Sequence, residues 1–248
     1  MSLSPSDLAK MACAHRAAEL VEDGMHVGLG TGSTAVFLVK RLGQRLRDEG
    51  LSIDCVATSE ATQKLALEEG LRMHSLDALG ALDLTIDGAD EFDGEMSLIK
   101  GGGAALLREK IVAAASERMV VIADASKEVS ALGAFPLPVE VVQFAHKTSR
   151  RMIDYLLENS DVDGREITLR MAGDQPLVTD EGHYIYDLHL GRIGDARALN
   201  AALNQIPGVV ENGLFTDMCD ATVVGYDGGR TVMVDLASGA RSEKIMDL

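Results

Sequence analysis

The sequence predicts an α/β protein: a helix-covered parallel sheet into which a second, α+β unit is inserted. Two observations carry this. From Pro5 to Lys127, short apolar runs ending in glycine or aspartate alternate with helical patterns, as in parallel sheets buried on both faces. After Phe135-Pro136-Leu137-Pro138 the order becomes strand, helix, strand, strand, helix, strand, which is the ferredoxin-like order.

Ser4, Pro5 and Asp7 read as an N-cap, a first-turn proline and a first-turn acid. Ala9, Cys13, Ala17, Leu20 and Val21 then form one apolar stripe that stops at Gly24. Residues 25–29 form a strand, 33–49 a helix, 53–57 a strand, and 59–69 a helix closed by Gly70. A strand at 82–86, a helix at 103–117 and a strand at 119–123 follow. The inserted unit reads as strand 137–142, helix 145–159, strand 166–171, a turn at Asp180-Glu181-Gly182, strand 184–190, helix 195–206 and strand 209–215. Asp195 caps its second helix and Pro207-Gly208 stops it. Residues 221–226 and 231–236, joined by Asp227-Gly228-Gly229, form a hairpin returning to the first domain. The predicted division is thus a Rossmann-like domain of residues 1–134 and 216–248, and a ferredoxin-like domain of residues 135–215. Residues 238–248 read as a loose polar tail.

Charge narrows the function. Lys and Arg number 23 against 39 Asp and Glu, a formal net charge of −16. This argues against a nucleic-acid groove, which needs a basic stripe, and against docking on anionic membranes. The absence of Trp disfavours a base-stacking platform. A small anionic substrate needs only a local pocket. No stretch approaches the roughly 20 apolar residues of a membrane span, and the N-terminal residues carry no leader-peptide pattern. Cys13, Cys55 and Cys219 are scattered, so neither a disulfide framework nor a zinc site is expected, and a cytoplasmic location fits best.

Three glycine-rich loops follow strands. Gly28-Leu29-Gly30-Thr31-Gly32-Ser33-Thr34 opens a helix. Glycines let the backbone approach a ligand, the helix N-terminus favours an anion, and hydroxyls add hydrogen bonds. The plainer alternative is a tight turn with capping hydroxyls. Gly30, Gly32 and Ala35 also satisfy a dinucleotide fingerprint, but no acid stands cleanly at the end of the second strand, since Asp54 falls mid-strand and Glu60 in a helix. Asp87-Gly88-Ala89-Asp90-Glu91 ends another strand, where parallel sheets bind ligands. Its acids read as ligand contacts, turn caps or a divalent-metal pair. Lys100-Gly101-Gly102-Gly103 places a cation beside a backbone that only glycine adopts easily. Glu109 stands between Arg108 and Lys110 and reads by itself as part of a solvated charged face, or as a base. Lys127 follows a further strand end and reads either as a surface lysine or as an anion contact.

Together these segments resemble the type A ribose-5-phosphate isomerase family. The matching stretches are residues 28–34, 85–91, 99–111, 122–127, 135–141 and 206–215, in family order and spacing. The resemblance implies a two-domain α/β aldose–ketose isomerase of the non-oxidative pentose phosphate pathway, interconverting D-ribose 5-phosphate and D-ribulose 5-phosphate through an enediolate. It implies a homodimer or homotetramer, and no metal, nucleotide or other cofactor. It assigns catalysis to Glu109 as base with Lys100, Asp87 and Asp90. It assigns substrate binding to Thr31, Gly32, Ser33, Thr34, Asp87, Gly88, Ala89, Asp90, Lys100, Gly101, Gly102, Gly103, Lys127 and, by spacing, Lys10. Two rivals are a sugar-phosphate sensor, which needs the cradle but no base, and a CoA-transferase-like or nucleotide-binding enzyme, which would need an adenine pocket or covalent Glu chemistry that no feature here requires.

Overall fold

The computed structural model describes residues 4–248; Met1, Ser2 and Leu3, which belong to the segment read for a leader and to the predicted first domain, lie outside the described residues. Along the chain come α1 (Pro5–Ala18), β1 (His26–Leu29), α2 (Ser33–Glu49), β2 (Asp54–Ala57), α3 (Glu60–Glu68), β3 (Arg72–Met73), α4 (Leu76–Leu79) and β4 (Leu84–Gly88). Then follow β5 (Glu91–Phe92), β6 (Leu98–Ile99), α5 (Leu106–Ala114), β7 (Met119–Asp124), β8 (Leu137–Val141), α6 (His146–Leu157) and β9 (Glu166–Leu169). The remainder is β10 (Met171–Ala172), β11 (Gln175–Pro176), β12 (Tyr184–His189), α7 (Ala196–Leu203), β13 (Val209–Asn212), β14 (Leu214–Phe215), β15 (Ala221–Gly225), β16 (Arg230–Asp235) and β17 (Arg241–Ile245). The chain divides into two compact units. The first holds the residues up to Ala89, Arg108–Lys127 and Met218–Leu248; the second holds Asp90–Leu107 and Glu128–Asp217.

The first unit is built on an eight-stranded sheet in the order β17-β16-β15-β7-β4-β1-β2-β3. It is parallel from β15 to β3 and antiparallel at β16 and β17. The chain steps outward from β1 to β3, then β4 pairs on the other side of β1, so the direction of winding reverses between β1 and β4. In doubly wound sheets such a switch point, at the strands' carboxyl ends, is where ligands bind. Val27, Leu29, Leu84, Ile86, Val120 and Ile122 fill the core with Leu38 and Leu42 of α2. The fully buried face of α1 is made of Ala12, Cys13, Ala14, Ala17 and Ala18, so this helix comes close to the sheet: a Cβ on Gly225 would lie 2.0 Å from the Ala9 carbonyl oxygen.

The second unit carries a four-stranded sheet, β13-β8-β12-β9, antiparallel throughout. Helix α6 joins β8 to β9, and α7 joins β12 to β13. Leu137, Val139, Val141, Ile153, Leu157, Leu188 and Leu203 form its separate core. A small antiparallel sheet, β14-β6-β5, belongs to the same unit. The fold is thus α/β, a parallel Rossmann-like sheet with a ferredoxin-like arrangement of strands and helices alongside in sequence.

Several boundaries differ from the sequence reading. Residues 90–107, 128–134 and 216–217, predicted to lie in the first domain, group with the second unit. The cause is the β5–β6–β14 pairing, together with the Glu91 carboxylate, which accepts from Gly133 N at 2.8 Å and Phe135 N at 2.5 Å. The predicted strand 209–215 is two strands in two sheets, because the buried Asn212 folds its side chain back to Leu214 N at 3.0 Å. The tail is not loose throughout: β17 pairs antiparallel with β16 over Arg241–Ile245. Helix α1 ends at Ala18 rather than near Gly24, and Arg45 Nη1 takes the carbonyls of Ala18 and Val21 at 2.5 and 2.8 Å. Helix α5 begins at Leu106, not Gly103, because Ala104 adopts φ 60° in a turn closed by its N–H to the Gly101 carbonyl.

Candidate active site

In the first unit the loop after β1 wraps over the end of β4. Asp87 is fully buried, and its Oδ1 accepts from Thr31 N at 3.0 Å and from Gly88 N at 2.7 Å. A Cβ on Gly30 would sit 2.0 Å from that same Oδ1, so only glycine lets the loop pass. The Thr31 hydroxyl turns inward to a cluster with Thr58 Oγ1 at 2.7 Å and Ser59 Oγ at 2.9 Å. Thr62 joins the cluster and donates to the Gly30 carbonyl at 3.0 Å. Thr31 therefore shapes the loop, while at the start of α2 Gly32 and Ser33 are exposed and Thr34 is half-exposed. Gly32 is the N-cap residue, with φ 111° and no side-chain cap. The first amides of a 17-residue helix thus stand open beside two hydroxyls, an arrangement suited to an anion.

Glu109 lies on α5, one turn before Val112, whose Cγ1 comes within 2.7 Å of a Cβ placed on Gly28 of β1. That face of α5 packs on the sheet, and Glu109 is only 3% exposed. The solvated-face reading of Arg108-Glu109-Lys110 therefore does not hold for its central residue. Arg108 and Lys110 remain half-exposed. Lys127 ends the 3-10 turn Ala125–Lys127 directly after β7, a turn held by Asp124 Oδ1 accepting from Ser126 N at 3.0 Å. Lys10 is half-buried on α1. A cavity of about 300 Å³ at the ends of β7 and β15 is lined by Ala9 and Ser126, the sequence neighbours of these two lysines.

In the second unit Asp90 Oδ2 accepts from Gly102 N at 2.7 Å. The two aspartates of the 87–90 segment thus serve different loops, and among the described residues no group of three His, Cys, Asp or Glu could hold a metal ion. Lys100 is 2% exposed. Its N–H donates to the Gly213 carbonyl at 2.9 Å, and its ammonium lies 5.4 Å from the centre of the Phe215 ring. Gly101 has φ 104°. Sequence reasoning missed the residues that hold these loops: Thr58, Ser59 and Thr62 in one unit, and Arg170 and Asp187 in the other. A hydroxyl in a helix or an arginine in a hairpin carries no sequence signal of such a role.

Comparison with known proteins decides the family. Residues 54–229 match the model for ribose 5-phosphate isomerase A (phosphoriboisomerase A). The chain belongs to that family. The ribose-5-phosphate isomerase A of Roseobacter denitrificans is 60% identical over 244 residues, 98% of this chain and 93% of that protein. That of Cereibacter sphaeroides strain KD131 is 59% identical over 246 residues, 99% of this chain and 94% of that protein. Among solved structures, the ribose 5-phosphate isomerase A of Methanocaldococcus jannaschii has a TM-score of 0.85 at 38% identity, covering 94% of this chain and all of that one. A D-ribose-5-phosphate isomerase in complex with phospho-erythronic acid has a TM-score of 0.84 at 38% identity, covering 92% of this chain and 97% of that one. These family members match both units of the present chain.

Proposed function

We propose that this family member interconverts D-ribose 5-phosphate and D-ribulose 5-phosphate with Glu109 as the base that moves the proton between C1 and C2. The observation that carries the assignment is the burial of Glu109 on the sheet-facing side of α5 while its charged neighbours stay half-exposed. A carboxylate withheld from water among the buried apolar residues Leu106, Val112 and Ala113 of the same helix needs a reason other than solubility.

The isomerisation passes through an enediolate, so it needs a base, donors for a developing oxyanion and a phosphate anchor. Glu109 takes the proton from C2 of the open-chain aldose and returns it to C1. Lys100 and the amides of Gly101 and Gly103 stabilise the negative charge that develops on the C1 oxygen, where preorganised donors act most strongly. Asp87 and Asp90 hold substrate hydroxyls. The open N-terminus of α2, with Ser33 and Thr34, and the lysines Lys10 and Lys127 hold the phosphate; its binding energy orients the reacting carbons. The relative solved with phospho-erythronic acid supports this scheme, because a sugar-acid carboxylate has the planar, two-oxygen, anionic shape of an enediolate. We further propose a cytoplasmic location and a homodimer or homotetramer; light scattering of the purified chain reads the oligomeric state directly.

Glu109→Gln tests the assignment. It keeps size and hydrogen bonding and removes the base, so kcat is expected to fall by the roughly 10²–10⁴-fold typical of general acid–base catalysis, with substrate affinity little changed. Exchange of solvent deuterium into C2, measured on the same protein, follows proton abstraction separately from ring opening. Wild-type exchange in folded Glu109→Gln would remove Glu109 as the base.

A further inference from the structure

We infer that Arg170, oriented by Asp187, is a positioning residue that fixes one peptide plane of the Lys100–Gly103 loop and thereby sets turnover. The inference rests on the reading above that this loop takes part in catalysis.

Arg170 directly follows β9, where its N–H donates to the Ile185 carbonyl at 2.8 Å and its own carbonyl accepts from Leu177 N at 2.9 Å. Asp187 lies on β12, in register with Thr168 and Pro138, so its side chain shares their face of the sheet. The pair is bidentate. Arg170 Nε donates to Asp187 Oδ2 at 2.9 Å, and Nη2 donates to Oδ1. Both side chains are mostly buried, at 14% and 16% exposure. This uses one edge of the guanidinium and aims the remaining nitrogen: Nη1 donates to the Gly101 carbonyl at 2.7 Å. Lysine has no such second edge.

The Gly101 carbonyl and the Gly102 N–H are the two polar ends of a single peptide unit. Arg170 holds the oxygen at 2.7 Å and Asp90 Oδ2 holds the nitrogen at 2.7 Å. Ala104 N adds a second bond to the same oxygen at 3.0 Å. A peptide between two glycines is the easiest in a chain to flip, because neither residue restricts φ and ψ. Here a flip would break contacts at both ends. The carboxylate and the guanidinium therefore lock the plane, and with it the direction of the amides beside Lys100. The sheet itself does not need this bond, since β9 and β12 already pair from Glu166 to Leu169.

Four variants test the inference. Arg170→Ala should lower kcat on the order of 10²-fold, the cost of misplacing a reacting group by about 1 Å, with KM nearly unchanged, and millimolar guanidinium ion should restore part of the loss. Arg170→Met/Asp187→Leu replaces the pair with apolar side chains, which generally keeps stability, so thermal stability should return while turnover stays low. Arg170→Lys should give an intermediate kcat at unchanged KM and serves where the alanine variant does not fold. Lys100→Met is the reference for the loop itself. Wild-type kcat in folded Arg170→Ala or Arg170→Lys, with Lys100→Met impaired, would overturn the clamp alone. So would a loss that follows the melting temperature and returns in the apolar pair. Wild-type turnover in Lys100→Met would instead remove the reading of the loop on which the inference rests.

Discussion

The loops after β1 and β6 are both rich in glycine and both lead into a helix, yet they are held by different chemistry. The first rests on neutral hydroxyls and one buried carboxylate: Thr31, Thr58, Ser59 and Thr62 bond to one another, and Asp87 takes the backbone amides of Thr31 and Gly88. The second rests on charge, with Asp90 on one end of a peptide and Arg170 on the other. Glycine also serves the two differently. Gly30 is required because the Asp87 carboxylate occupies the place of its Cβ, whereas Gly101 is required for its φ of 104°. The first loop is built like a piece of core, and the second like an adjustable backbone fixed by ions. Damage to the first should therefore appear as lost stability, and damage to the second as lost turnover.

The sharpest way to break that contrast is Lys100→Met. It removes the one cation of the second loop while keeping much of its volume, and kcat should fall by about 10²–10³-fold, as for loss of one oxyanion donor. A protein of unchanged activity and lower melting temperature would reverse the comparison. Gly30→Ala and Gly102→Ala come next. Each new Cβ collides with a carboxylate, at 2.0 Å for Asp87 and 2.5 Å for Asp90. Gly30→Ala should cost about 1–3 kcal/mol of stability, as overpacking does, because the Asp87 carboxylate is buried and tied to the Thr31 and Gly88 amides. Gly102 is exposed, so Gly102→Ala should leave chemical denaturation nearly unchanged and lower kcat. Equal losses of stability in both would erase the distinction.

Thr62→Val should have a smaller effect. It removes a hydroxyl bonded to the Gly30 carbonyl and to Ser59, and about 0.5–1.5 kcal/mol per hydrogen bond is expected, with kcat and KM unaltered. The least effect is expected from thiol reagents. Cys13, Cys55 and Cys219 are all buried in the first unit, and desolvation pushes each thiol up to about 12. At pH 8 the native protein should resist iodoacetamide, and unfolded protein should react fully, as mass spectrometry would show. The same shift has a sign for stability. The folded chain keeps these protons to about 12, whereas an unfolded thiol releases them near pH 8.5. Rising pH across that window favours unfolding. Rapid native labelling would show that the first unit opens more readily than its packing suggests.

Much of this was legible before any coordinates. The alternation of apolar runs with capped helices determined the order of most elements, because hydrophobic period and capping are local. Ser4 and Asp195 cap helices α1 and α7 where the sequence placed them, and Ser59, read as the first residue of its helix, caps α3. The glycine loops and their acids were visible as motifs for the same reason: a backbone that needs glycine needs it at a fixed position. What the sequence could not determine was direction and partnership. Whether Glu109 faces solvent or sheet depends on which side of α5 meets β1. The separation of Asp87 from Asp90 depends on where each loop finds unpaired amides. The split of residues 209–215 depends on Asn212 reaching Asn200 at 2.8 Å and Asn204 at 2.9 Å across α7. The clamp of Arg170 on Gly101 joins residues 69 positions apart. Such contacts are set by packing between distant segments, and a linear pattern carries no term for them.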